Sequence, residues 1–124
     1  MLVIDAANVI GSKPNGWWRD RPGAARKFVE QLRDAARHGR IPLPALVVLE
    51  GAARAGVAEA DVDGVRVVHA AHHGDETLVA ETAAAAGGVV FVSADRGLLG
   101  RVRDLGAETV GPGWLNDRLG PDGS

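Results

Sequence analysis

The sequence predicts an α/β domain with a mostly parallel sheet covered on both faces, and three observations lead there. Short, continuously apolar runs alternate with stretches of helical periodicity, the pattern of strands buried on both sides and joined by crossover helices. At 46% apolar and 24% charged residues, the chain can bury a core and does not read as disordered. Its 124 residues suit one domain and should bury roughly two-thirds of the surface of the unfolded chain.

The elements follow in order. Leu2-Val3-Ile4 is a β-rich run that stops at Asp5, and Asn8, Gly11, Pro14, Asn15 and Gly16 supply turn chemistry after it. Pro22 suits the first turn of a helix, where its missing N–H has no partner to lose. Ala25, Phe28, Val29, Leu32 and Ala36 continue that helix on one face, and Gly39 ends it. Ala45 to Leu49 is a second strand by its unbroken apolar character, and Val65 to Val68 a third. Residues 51–64 between them read as loop, distorted helix or both. Asp75 opens a second helix with Leu78, Val79, Thr82, Ala83 and Ala86 on one face, closed by Gly87-Gly88. Val89 to Val92 is a fourth strand. Leu98, Leu99, Val102 and Leu105 mark a third helix, Ala107 to Val110 a short fifth strand, and Trp114, Leu115 and Leu119 a terminal turn of helix. Residues 120–124 are expected to form a loose tail.

Several function classes fall away on composition. The absence of cysteine removes disulfides, thiolate catalysis and Cys-ligated zinc. Met1 to Asp5 carry no basic leader, and no apolar run approaches the roughly 20 residues of a membrane span, so a cytoplasmic protein without a membrane partner is expected. The net charge of −2 hides an asymmetry. Residues 1–40 hold eight Lys/Arg against four acids, so the remainder is strongly acidic. A basic front beside an acidic remainder fits a polyanion held near a cation-binding site, although a solvated surface gives the same count.

The carboxylates fall in informative places. The first strand ends at Asp5, the second at Glu50, the fourth is followed by Asp95, and the loop after the third delivers Asp75-Glu76. In an open parallel sheet the carboxyl ends of the strands share one edge, where ligands bind. Two carboxylates about 5 Å apart repel by roughly 3 kcal/mol at an effective dielectric near 20. A fold does not gather such groups to stabilise itself. A divalent cation removes the repulsion, and an oxygen-only ligand set favours Mg²⁺ or Mn²⁺ over zinc. Singly, each acid has a plainer explanation. Asp5 suits a turn, and Asp75 and Asp95 stand where helix N-caps are expected. Asn8 suits a left-handed turn position. Glu50 is harder to explain so, because Glu is not favoured in turns.

Two further features stand out. His72-His73 precede Asp75, but adjacent histidines on a loop do not face one point, and His38 and His69 add no ligand-spaced pair. A histidine at the crevice would instead contact phosphate or shuttle a proton. Trp17-Trp18-Arg19 lies in a Gly/Asn/Arg-rich loop. One ring is expected to pack on the first helix and the other to lie exposed, as a hydrophobic clamp or a stacking surface for nucleobases.

Four segments resemble the NYN branch of the PIN-like nucleases, in particular the compact bacterial YacP-like NYN proteins. They are Val3 to Gly11, Val47 to Gly51, Gly74 to Leu78, and Val92 to Leu98. The family pattern has an Asp with an Asn three residues on after strand one, an acid-Gly after strand two, an acidic pair opening a helix, and Ser/Thr-x-Asp-Arg after strand four. The match runs in order from Leu2 to about Val110. Glu50 and Glu76 depart from it, standing where Asp is common and reaching further. The resemblance implies a three-layer α/β/α PIN-like domain over residues 1–119, with about five strands, and a metal-dependent ribonuclease. By matching position, Asp5, Asp75 and Asp95 would hold Mg²⁺ or Mn²⁺, with Glu50 or Glu76 completing the shell. Asn8 would orient Asp5 or touch the scissile phosphate, and products would carry a 5′-phosphate and a 3′-hydroxyl. Arg19, Arg21 and Arg96, with Trp17, are the candidates for RNA contacts.

Other functions compete. A phosphorelay receiver needs paired acids after strand one and a late Lys, whereas Asp5 stands alone there and Lys13 and Lys27 are both early. A nucleotide phosphohydrolase would use the same metal acids on a phosphoanhydride. A catalytically inactive PIN-like module binding RNA or protein would be expected to lose those acids. A homodimer, a protein antidote and an RNA-processing partner stay open as partners.

Overall fold

In a computed structural model, which describes residues 1–120, the chain forms a six-stranded, mostly parallel sheet between two layers of helices. Of the expected tail, 121–124 lie outside the described residues. The strands are β1 (Leu2–Asp5), β2 (Ala45–Leu49), β3 (Ala60–Val62), β4 (Val65–His69), β5 (Val90–Val92) and β6 (Glu108–Val110), in the spatial order β3-β4-β2-β1-β5-β6. All neighbours pair parallel except β3 with β4. The helices are α1 (Ala6–Gly11), α2 (Arg21–Arg37), α3 (Gly74–Ala84), α4 (Arg96–Asp104) and α5 (Pro112–Leu119), with short 3₁₀ turns at Trp17–Arg19 and Gly51–Gly56. No helix among the described residues is long and apolar enough to cross a membrane.

The continuous apolar strands are explained by two cores, one on each face. Strand side chains alternate between faces. Leu2, Ile4, Val47, Leu49 and Val92 pack with Val9, Phe28, Leu32 and Leu115, which places α1, α2 and α5 on one side. Val3, Leu46, Val48 and Phe91 pack with Leu78, Leu98 and Val102, which places α3 and α4 on the other. Both neighbours of β1 run parallel to it, so its four residues are all buried. The carboxyl ends of β1, β2, β4 and β5 therefore meet at one edge.

Three expectations are corrected. The sheet of about five strands gains a sixth, because residues 51–64, read as loop or distorted helix, contain a 3₁₀ turn followed by β3, which folds back on β4. Asp63-Gly64 makes that hairpin, both with positive φ (56° and 80°), the backbone that the Asp-Gly dipeptide favours in two-residue turns. Residues 6–11 form α1 rather than a turn, so Asn8 sits inside a helix and not at a left-handed corner. The last helix runs for two turns, with Pro112 at its start.

Local chemistry sets the helix that seats the site. Asp20 caps α2 by accepting the Gly23 N–H at 3.0 Å, and Pro22 occupies the first turn as expected. The 3₁₀ turn after β2 lies hard against that first turn. A Cβ built on Gly56 would fall within 2.8 Å of the Pro22 carbonyl carbon and nearer still to its oxygen. Only glycine admits that approach.

Candidate acidic site at the carboxyl edge of the sheet

Asp5 ends β1 and is 8% exposed. One of its oxygens accepts the Asn8 N–H at 3.3 Å, which makes Asp5 the N-cap of α1. The other accepts the Ser93 hydroxyl at 2.9 Å. Ser93 is fully buried, and its Oγ also accepts the Asp95 N–H at 3.1 Å. Asp95 then caps α4 by accepting the Leu98 N–H at 3.1 Å. The Asn8 side chain closes the same corner from the other direction, its Oδ1 accepting the Ala94 N–H at 2.9 Å. The β1–α1 junction and the β5–α4 junction are thus bound together by two side chains, and Asp5 and Asp95 share one hydroxyl.

Burial pushes the Asp5 carboxyl above its usual range. The bonds from Ser93 and Asn8 work against that rise, while the negative charges of Asp75 and Glu50 add to it. Asp75 and Glu50 therefore lie within electrostatic reach of Asp5, although they come from the start of α3 and the end of β2. Glu50 is held by the Gly74 N–H, donated to its Oε2 from the first residue of α3. Arg54 braces the same loop, donating to the Gly51 and Ala70 carbonyls at 3.1 and 3.3 Å.

The remaining sequence candidates are placed as follows. Glu76, also in the first turn of α3, is exposed and gives both oxygens to Arg101 of α4, at 2.8 and 3.1 Å. That pairing holds its carboxyl below the usual range. Arg96 is exposed at the start of α4. Trp17 is half-buried beside Gly11 and Trp18 is 55% exposed, the two rings meeting edge to face with centroids 6.2 Å apart. The Arg21 guanidinium lies over Trp17 at 5.4 Å and that of Arg19 over Trp18 at 5.8 Å. Between α1, the start of α2 and the end of β2 is an open cavity of about 200 Å³, bordered by Ala6, Ile10, Trp17, Arg21 and Glu50. His72 and His73 precede α3 on an exposed loop, and His73 makes no side-chain cap.

Among the described residues, no three acidic or imidazole side chains stand close enough to enclose one metal ion. A zinc site of the four-ligand kind asks for more protein donors than that. Magnesium makes a smaller demand, since it keeps several waters and is usually held by one or two carboxylates together with substrate phosphate. The oxygen-only donors around buried Asp5 fit that kind of ion.

Ser93 and Arg101 were not singled out by sequence reasoning. Ser93 had a signal, as the first residue of the Ser-x-Asp-Arg segment, but its bond to Asp5 spans 88 positions. Arg101 had none, since its pairing with Glu76 depends on how α3 packs on α4.

No known family model matches the sequence, and no curated protein does. Among solved structures, the fold is similar to the crystal structure of Rae1 (YacP) from Bacillus subtilis, W164L mutant. The TM-score is 0.65 at 18% sequence identity, over 95% of this chain and 72% of that one. The likeness is one of fold: the α/β architecture with a mostly parallel sheet is shared, in agreement with the class expected from the sequence.

Proposed function

We propose that this chain is a metal-dependent ribonuclease that hydrolyses RNA at the carboxyl edge of the sheet. The observation that carries the proposal is buried Asp5, held by Ser93 and Asn8 while two further acids raise its proton affinity. Such a carboxylate is poorly stabilised by the protein alone and well matched to a cation. The motif order and the fold likeness to Rae1 (YacP) support the same class.

Asp5, together with Asp75 or Asp95, would offer one or two carboxylates to Mg²⁺ or Mn²⁺, and water and substrate phosphate would fill the other positions. Bound there, the ion would acidify a water and neutralise charge on the phosphate oxygens. The chain's own groups orient the rest. Ser93 and Asn8 fix the Asp5 carboxylate, so its direction does not depend on the substrate. The Asn8 Oδ1 is already used by Ala94, which leaves its amide N–H groups as donors to a phosphate oxygen. Arg21 borders the cavity and Arg19 lies over the neighbouring Trp18 ring, and both would offer positive charge to an approaching RNA strand. Attack of water on phosphorus would break the P–O3′ bond and leave a 5′-phosphate and a 3′-hydroxyl. Glu76, tied to Arg101, serves as a brace between α3 and α4 in this scheme.

The test is incubation of single-stranded and structured RNA with the purified protein, with and without Mn²⁺, beside Asp5→Asn. Cleavage is expected only for the wild type with metal, giving 5′-phosphorylated products. Equal cleavage by both proteins, or cleavage that survives a chelator, overturns the proposal. Nucleoside triphosphate hydrolysis measured on the same samples separates a phosphohydrolase from a nuclease.

A further inference from the structure

The cavity beside Glu50 is not needed to hold a cation, and its lining has a definite chemistry. Its volume of about 200 Å³ is below the roughly 300–1,000 Å³ of sites that enclose a whole drug-sized ligand. It suits one ring system whose attached groups stay outside. The walls from Ala6, Ile10 and Ala53 are apolar, and Trp17 provides an aromatic surface. Two charged groups of opposite sign, Arg21 and Glu50, complete the lining. Among the described residues neither is in an ion pair. The Arg21 guanidinium lies over the Trp17 ring, and Glu50 uses Oε2 for the Gly74 N–H, while among the described residues Oε1 has no hydrogen-bond partner. A flat occupant therefore meets an acceptor and a donor fork in the same cavity.

We propose that this cavity is a subsite for one unpaired guanine base, which seats the flanking phosphate at the acidic edge. The proposal rests on the ribonuclease reading for what happens to that phosphate, but base binding can be measured without it. Guanine carries N–H donors at N1 and N2 on one edge and acceptors at O6 and N7 on the next. A carboxylate matches the first pair and a guanidinium the second, the commonest specific partner of those acceptors. Adenine and cytosine present a ring-nitrogen acceptor where the Glu50 carboxylate needs a donor, and uracil presents one N–H only. Stacking against Trp17 is open to all four bases, so it contributes affinity and not choice.

The experiment is fluorescence anisotropy in the presence of a chelator, so that nothing is cleaved. The probes are labelled uridine heptamers carrying a central guanosine, adenosine, cytidine or uridine, with GMP as a competitor. The guanosine heptamer is expected to bind about tenfold more tightly than the other three. Ala53→Leu, which fills the cavity and leaves its charges in place, should remove that preference and leave weak binding equal for all four. Glu50→Gln, which replaces one acceptor oxygen by a donor, should reduce the preference even if the leucine variant does not fold. Competition by GMP as strong as by the heptamer supports the subsite and identifies free nucleotide as its ligand. Equal binding of the four heptamers, or a guanine preference unchanged in both variants, overturns the subsite. Mn²⁺-dependent cleavage by the same wild-type preparation would then still support the ribonuclease. A guanine preference without any cleavage would keep the subsite and remove the ribonuclease.

Discussion

Replacing Ser93 by alanine tests how the two junctions of the acidic site are held. The hydroxyl is fully buried and makes two bonds, one to the Asp5 carboxylate and one from the Asp95 N–H. A hydrogen bond to a charged group contributes about 1.5–3 kcal/mol, and a neutral one about 0.5–1.5 kcal/mol. Water replaces part of the second, because the Asp95 amide is only partly buried. The expected loss is about 2–4 kcal/mol, a large share of the stability of a small domain. At this chain length it lowers the melting temperature by roughly 6–15 °C. The pH dependence separates this cause from simple loss of packing. The Asp5 pKa is raised in the folded state, so its contribution is complete below the unfolded value near 3.9 and is lost as pH rises through the folded one. Ser93 limits that rise, and alanine would enlarge it. The penalty should therefore be greatest above the folded pKa of Asp5 and smallest below about pH 4. In an Asp5→Asn background, where no charge remains to be stabilised, the same substitution should cost about 1 kcal/mol. Urea unfolding followed by tryptophan fluorescence at both pH values, in both backgrounds, gives the four numbers. A penalty equal in all four refutes charge stabilisation by Ser93.

Two further perturbations probe neighbouring parts of the site. Gly56→Ala forces a methyl group into the Pro22 carbonyl and should destabilise by at least about 2 kcal/mol, with a visible fall in melting temperature. A silent substitution would show that the turn after β2 does not press on α2. Glu76→Gln breaks an exposed ion pair, so thermal stability should change little. Its RNA cleavage should also need no more Mn²⁺ than the wild type, whereas a several-fold rise in the requirement would place Glu76 among the cation's ligands.

The parts of the fold that were legible in the sequence are those decided by local pattern. Ala45–Leu49 is apolar at five successive positions because the sheet is covered on both faces, and its shortness and β-branched residues separate it from a buried helix. The cap and proline of α2 lie within three residues of its start. The β3–β4 hairpin had a local signal in Asp63-Gly64, but β3 itself is exposed along its length and shows no apolar pattern. The helix α1 was obscured because Asn8 and Gly11 are turn formers, and the Asp5 cap with burial of Ala6 and Val9 overrides that preference.

The sequence by itself determined the fold class and the order in which acids arrive at strand ends, since apolar periodicity and parallel crossovers follow from spacing along the chain. Only the tertiary structure decided how those acids are used. Glu76 and Asp75 are adjacent in the chain, yet Glu76 is neutralised by Arg101 while the charge of Asp75 acts on Asp5. Ser93 becomes a bridge because β5 lies beside β1 and brings its hydroxyl to a carboxylate 88 residues away. Burial and the position of opposite charges set the state of a carboxyl group, and both are properties of packing rather than of sequence neighbours.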